Sequence, residues 1–144
     1  MADTPSVTAL HVVPARGGPQ RALDAVEVTD AGLVGDHHLG GRRPVTVVAQ
    51  GELDAAAAEL GAPVACGSTY RNVTVSLHAL PRDAGGRLHI GAVVLELQGD
   101  CAPCGFMERS VGPGAKAALV QRAGIWATVL VPGTVRVGDP VRVE

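Results

Sequence analysis

Aromatic side chains are nearly absent: among 144 residues only Tyr70, Phe106 and Trp126 are aromatic, although 47% are hydrophobic. A core for this chain must therefore be packed mainly by Val, Leu, Ile and Ala, and abundant valine favours strands. An excess of positive charge is also missing. The formal net charge is -2 and the few basic residues are scattered. There is no basic stripe and no aromatic platform on which bases stack, so nucleic acid is not an expected partner. No apolar run approaches the roughly 18 to 20 residues that span a bilayer. The opening "MADTPSVTALHVVPARGG" lacks a basic n-region and a long h-region. No membrane association is expected, and the cytoplasm is the expected compartment. Cysteine is scarce as well. Three cysteines cannot all pair within one chain, and a reducing compartment keeps thiols reduced, so at least one is free for chemistry.

Length and pattern point to one domain over residues 1–144 with a single core. "VTALHVV" reads as a first strand over Val7 to Val13, closed by Pro14. A short strand follows around Ala25 to Val28, then a glycine-punctuated loop carrying Asp36, His37 and His38. "PVTVVA", from Pro44 to Ala49, is a third strand. "QGELDAAAAELGA" is the clearest helix, stopped at Gly61 with Pro63 beyond. "TYRNVTVSL" alternates like a strand, "GRLHIGAVVLELQGD" gives two strand segments joined at Gly91, and "GAKAALVQRAG" suggests a helix ending at Gly124. The tail "IWATVLVPGTVRVGDPVRVE" is strand, turn, strand, turn, strand. Many short strands with two modest helices predict a mainly β domain, of barrel type.

The chemistry concentrates in "GDCAPCGFMERS", where Cys101 and Cys104 flank Ala102 and Pro103. C-x-x-C is half of a tetrahedral zinc set, but the other half is missing from the sequence. Zinc is therefore not expected, although folding could bring Cys66 and His37 to the pair. A redox pair at a helix start would suit a thiolate of lowered pKa, yet the thioredoxin arrangement expects it near the N-terminus of a βαβ unit. The plain alternative is that small thiols pack, which is the default for Cys66. Asp36 has a turn-closing role available, and His37 and His38 read as turn or surface histidines. His11, His78 and His89 lie on or near strand patterns and read as structural. Arg71 with Asn72 before a strand, and Arg122 on a helix face, have solvation as their ordinary explanation.

In order along the chain, "GLVGDHH", "PVTVVAQGELDAAAAELG", "YRNVTV", "RLHIGAVVLELQGDCAPC" and "RAGIWATVLVPGTVRVGDPV" resemble the blocks of a MOSC domain, the domain named after the C-terminal part of molybdenum cofactor sulfurase. The resemblance runs from about Val7 to Val143 and implies a β-barrel-like fold with few helices, in a free-standing member. The family pattern has a proline-preceded cysteine, which falls on Cys104. In the family this thiol is thought to carry sulfur or contact molybdenum, which makes it both the catalytic and the metal-contacting candidate. In larger members, similar to the amidoxime-reducing proteins, it ligates the metal of a bound pterin.

The resemblance further implies a cofactor-binding set of Asp36, His38, Arg71, Asn72, Cys101 and Arg122. Cys101, where longer members place an arginine, is a second or resolving thiol. Arg71 and Arg122 are the cations that activate Cys104 and hold a phosphate or molybdate, and a soft thiolate suits molybdenum or persulfide. The implied cofactor is molybdenum cofactor (molybdopterin), and the implied partners are that pterin or sulfur donor and acceptor proteins. Exposed strand edges could also support a homodimer. Sulfur transfer or a reductase component is the activity class, with a structural zinc module or a noncatalytic partner-binding protein as rivals.

Overall fold

The computed structural model describes residues 4–65, 67–103 and 105–144, so Cys66 and Cys104 lie outside the described residues. The architecture is mainly β. Among the described residues, eleven strands run in chain order as β1 (Val7–Val12), β2 (Arg21–Leu23), β3 (Ala25–Thr29), β4 (Gly32–Leu33), β5 (Val45–Ala49), β6 (Val73–Val75), β7 (Arg87–Ile90), β8 (Val93–Asp100), β9 (Ile125–Val131), β10 (Gly133–Arg136) and β11 (Val141–Val143). Helix α1 (Gln50–Leu60) joins β5 to β6, and α2 (Gly105–Val111) and α3 (Ala115–Ala118) lie between β8 and β9.

Eight strands form one sheet in the order β11-β7-β8-β9-β5-β6-β1-β2, and β10-β3-β4 form a second. The pairing is antiparallel except between β5 and β6, which α1 connects as a crossover must. The barrel expected from the strand pattern is not formed, because the large sheet ends in two edges, β11 and β2. Backbone bonds from Val7 N to Asp139 O and from Val141 N to Pro5 O bring the chain ends together, but pairing there stops at one isolated bridge, Ser6 with Pro140. Pro140 has no N–H to extend a ladder.

The core follows the composition. Val7, Leu10, Val45, Val47, Leu88, Ile90, Leu95, Leu97 and Ile125 pack in the main cluster, and no aromatic residue is among its members. A second cluster of Val48, Leu53, Ala56, Met107, Ala118 and Leu119 sits under the helices. All five residues of β5 are buried because Val45 and Val47 face one cluster and Val48 the other, as side chains alternate across a strand. β8 shows the half-buried alternation, with Val93, Leu95 and Leu97 inside.

Three details differ from the sequence pattern. The strand read through "TYRNVTVSL" begins only at Val73, because Tyr70 adopts a left-handed backbone at φ 57° and turns the chain. The helix expected up to Gly124 is the single turn α3, interrupted by Gln121, also at φ 57°. Helix α2 and the short strands β2 and β4 carry too little periodicity to be read. Helix α1 does end where expected, with Gly61 at φ 75° and its N–H bonded to Ala57 O.

Gly124 opens β9 at φ 102°, and a Cβ there would lie 2.6 Å from Val47 O and 3.4 Å from the Arg71 side chain. Both the backbone conformation and the space demand glycine. Gly124→Ala is expected to lower stability by about 1–3 kcal/mol, the range for forcing atoms into a packed interior, read as a lower denaturation midpoint at unchanged m-value.

Candidate functional site

A cleft of about 220 Å³ opens beside the ends of β1 and β6, lined by Val13, Gly17, Gly18, Asp36, His37, His38, Thr69, Tyr70, Arg71, Phe106 and Met107. One wall is aromatic. Tyr70 and Phe106 meet edge to face with centroids 4.8 Å apart, so two of the three aromatics serve the cleft rather than the core.

Asp36 anchors the opposite wall. Its side chain is 1% exposed, and Oδ1 accepts the Val13 N–H at 2.8 Å while Oδ2 accepts the His38 N–H at 3.2 Å. His37 donates both its backbone N–H, at 2.9 Å, and an Nδ1–H, at 2.8 Å, to Val13 O. A carbonyl can only accept, so the proton sits on Nδ1 and the lone pair of a neutral His37 is on Nε2. His38 Nδ1 lies 3.3 Å from Asp36 Oδ2, and the two imidazole centroids are 3.9 Å apart with the ring planes tilted by 39°. The turn of Asp36–His38 is thus stitched to the end of β1.

Asp36, His37 and His38 each offer a ligand atom within 4.8 Å of the others. With His37 Nδ1 held by Val13 O, Nε2 is the His37 atom left to ligate.

Arg71 reaches the cleft from the strained turn at Tyr70, and its Nε donates to Ala123 O. The next residue, Asn72, points elsewhere. Its Oδ1 accepts from Thr46 N at 3.0 Å and Thr46 Oγ1 at 3.1 Å, its Nδ2 donates to His11 O at 3.1 Å, and it is 3% exposed. Asn72 ties β6 to β5 and β1 and is not among the cleft-lining residues. Arg122 is also elsewhere, held by Glu59 Oε2 at 3.3 Å and Ala118 O at 3.0 Å beside α1. Cys101 is buried, with its backbone N–H on Gly124 O. Burial pushes its thiol pKa up, against the opposing pull of the Arg71 and Arg43 guanidiniums. The structure therefore brings Asp36, His38 and Arg71 together and leaves Asn72, Cys101 and Arg122 outside. Cys104 lies outside the described residues, directly before the helix whose Phe106 and Met107 line the cleft.

Sequence reading missed His37, Thr69 and the Tyr70–Phe106 pair as cleft residues. It also missed Arg82, which pairs with Glu52 and with Asp100 at 3.3 Å and donates to Gln121 O. Glu52, buried under Leu80 N–H, has its pKa raised by that burial. No local pattern marks a contact between residues so distant in the chain.

Two consequences are measurable. Cys101, buried and protonated at neutral pH, is expected to resist iodoacetamide in the folded protein and to react once guanidinium unfolds it, scored by peptide mass spectrometry. Burial also lowers the pKa of His11 from its ordinary 6.5. The unfolded chain then binds a proton that the folded chain resists, so stability rises with pH up to about 6.5 and falls on acidification below it. Denaturation midpoints at several pH values should show this slope, and His11→Gln should flatten it.

Solved structures share the fold. The YuaD protein from Bacillus subtilis superposes with a TM-score of 0.84 at 20% identity, over 98% of this chain and 96% of that one. YiiM from Geobacillus stearothermophilus gives 0.75 at 16%, over 97% and 75%, and YiiM from Escherichia coli 0.71 at 17%, over 99% and 70%. At these identities the likeness speaks to fold alone. No curated protein matches by sequence. Residues 34–142 match the MOSC domain, a stretch that includes the Asp36–His38 turn, Arg71, Cys104 and the closing V-G-D-P. The chain belongs to the MOSC domain family, which is associated with binding of the molybdenum cofactor.

Proposed function

We propose that this protein handles molybdenum cofactor or a related sulfur-bearing species through Cys104, with Arg71 and the Asp36–His38 turn forming the surrounding site. The observation that carries this reading is the cleft itself: Arg71, the histidine turn and the first turn of the helix following Cys104 converge on one cavity. The residues suit such a group, since a guanidinium favours anionic oxygen and a cysteine thiolate is a soft ligand. When bound, the cofactor supplies a redox-active molybdenum centre. A cavity of about 220 Å³ is smaller than the roughly 300–1,000 Å³ of sites that enclose a drug-sized ligand, so it would take one end of the pterin and leave the rest on an open face or against a partner.

A second reading, a carrier that works by docking, is favoured by an open, mostly apolar groove of about 840 Å³ bordered by Pro103, Gly105, Arg109, Lys116 and Val120. It is larger than the cleft, and the charged residues at its border are Glu108, Arg109 and Lys116. Sulfur donor and acceptor proteins would dock on it, beside Pro103 and Gly105, the sequence neighbours of Cys104.

Native mass spectrometry of protein from a host that makes molybdenum cofactor, with elemental analysis of the same sample, tests the first reading. A pterin-sized mass with molybdenum, or a sulfur adduct, is expected in the wild type and should be lost in a folded Cys104→Ser variant. An adduct that persists in that variant would remove Cys104 from the account. Stoichiometric zinc with no adduct would make the cysteine pair a structural clip.

A further inference from the structure

The Asp36–His38 turn presents two imidazoles whose Nδ1 atoms are both engaged. His37 Nδ1 donates to Val13 O at 2.8 Å. His38 Nδ1 faces Asp36 Oδ2 at 3.3 Å, and a carboxylate, like a carbonyl, only accepts. In each neutral ring the proton is therefore on Nδ1 and the lone pair on Nε2. Histidines that ligate metals are held in this way: the nitrogen opposite the metal gives its proton to a carbonyl or carboxylate, which fixes the tautomer and raises the basicity of the ligating nitrogen. His89 offers a contrast, since its Nε2 is spent on Glu144 Oε1 at 2.7 Å.

The turn meets the other requirements of such a site. The two ring centroids are 3.9 Å apart, and Asp36 and both histidines offer ligand atoms within 4.8 Å of one another. The buried Asp36 carboxylate lies within 4.0 Å of both rings and supplies negative charge beside a cation. Side-chain exposures of 20% for His37 and 49% for His38 give an ion a way in from the cleft. We propose that His37 and His38 bind one divalent transition-metal ion of the zinc, nickel or copper class through their Nε2 atoms, with Val13 O and Asp36 as the partners that orient them. Imidazole nitrogen selects such ions over magnesium and calcium, which take oxygen. Two protein ligands leave coordination positions open to the cleft. The inference shares its cleft with the cofactor reading but uses neither Cys104 nor a pterin.

Asparagine keeps a donor near the place of Nδ1 and has no counterpart of Nε2, so His37→Asn and His38→Asn remove the ligand while sparing the turn. Wild type, both variants and Cys104→Ser would be stripped with EDTA and titrated with zinc chloride by calorimetry. The same proteins would be titrated with cobalt chloride and followed by absorption, where thiolate ligands add a charge-transfer band that imidazoles do not. Wild type is expected to bind zinc at one saturable site. Each asparagine variant should bind at least about tenfold more weakly, the scale of losing even an orienting partner of a ligand, and Cys104→Ser should bind as wild type does. Should an asparagine variant fold poorly, nitrogen NMR of the wild-type imidazoles makes the same test, since zinc would shift the Nε2 signals of His37 and His38.

No zinc binding by wild type, or equal binding by wild type and both asparagine variants, overturns the proposal. A thiolate band with zinc lost only in Cys104→Ser also overturns it and places the ion on the cysteines. Zinc binding that depends on His37 and His38 in a chain carrying no cofactor or sulfur would leave this inference standing and the cofactor reading failed. A chain that carries the pterin or sulfur adduct but binds no zinc would fail this inference alone.

Discussion

Asn72 is the constraint on which the rest of the arrangement depends. It stands just before β6, between β5 on one side and β1 on the other, and its amide bonds to Thr46 and to His11 while its own N–H rests on Thr46 Oγ1 at 2.9 Å. β6 has only three residues, too few to hold a parallel and an antiparallel neighbour by ladder bonds alone. Buried in a region of valines, a fully bonded amide fixes the register where apolar packing would be indifferent to a slip. With the start of β6 fixed, the preceding residues turn sharply through Tyr70 and set Thr69 and Arg71 at the cleft.

The opposite wall depends on a second polar tie of the same kind. Val13 offers one N–H and one carbonyl at the end of β1, and the Asp36–His37 pair takes both. The Asp36 charge is stabilised by backbone donors and imidazoles, as buried charges must be. The cleft is thus built from two loops, each bound to the β1 end of one sheet, and closed by the first turn of α2. Rigid strands hold the loops that carry the chemistry.

Much of the fold was legible because its signals are local. The alternation of β8, the apolar run of β5, and the alanine-rich α1 with its Gly61 stop are each written within about a dozen residues. Barrel closure was not legible, since it depends on which distant edges meet and on Pro140 standing where a donor would be needed. The site was legible in part. Asp36, His38 and Arg71 line one cleft, whereas Asn72 and Arg122, equally prominent in the sequence, support the sheet and the helix layer. A buried asparagine and a ligand-binding asparagine look alike in a sequence, because the difference lies in Thr46 and His11, 26 and 61 residues away. His37 stood out only as a loop histidine, for its tautomer is fixed by Val13, 24 residues away.

The cleft and the larger groove near α2 make competing claims to be the place where this chain meets its ligand: the groove is open and mostly apolar with Glu108, Arg109 and Lys116 at its border, the cleft small and lined by Arg71 and the Asp36–His38 turn. Crystals soaked in sodium tungstate, with anomalous scattering recorded at the tungsten edge, would decide directly. The account predicts a dominant peak in the cleft, within contact distance of Arg71. A peak instead beside Arg109 and Lys116 in the groove, or none at all, would contradict it.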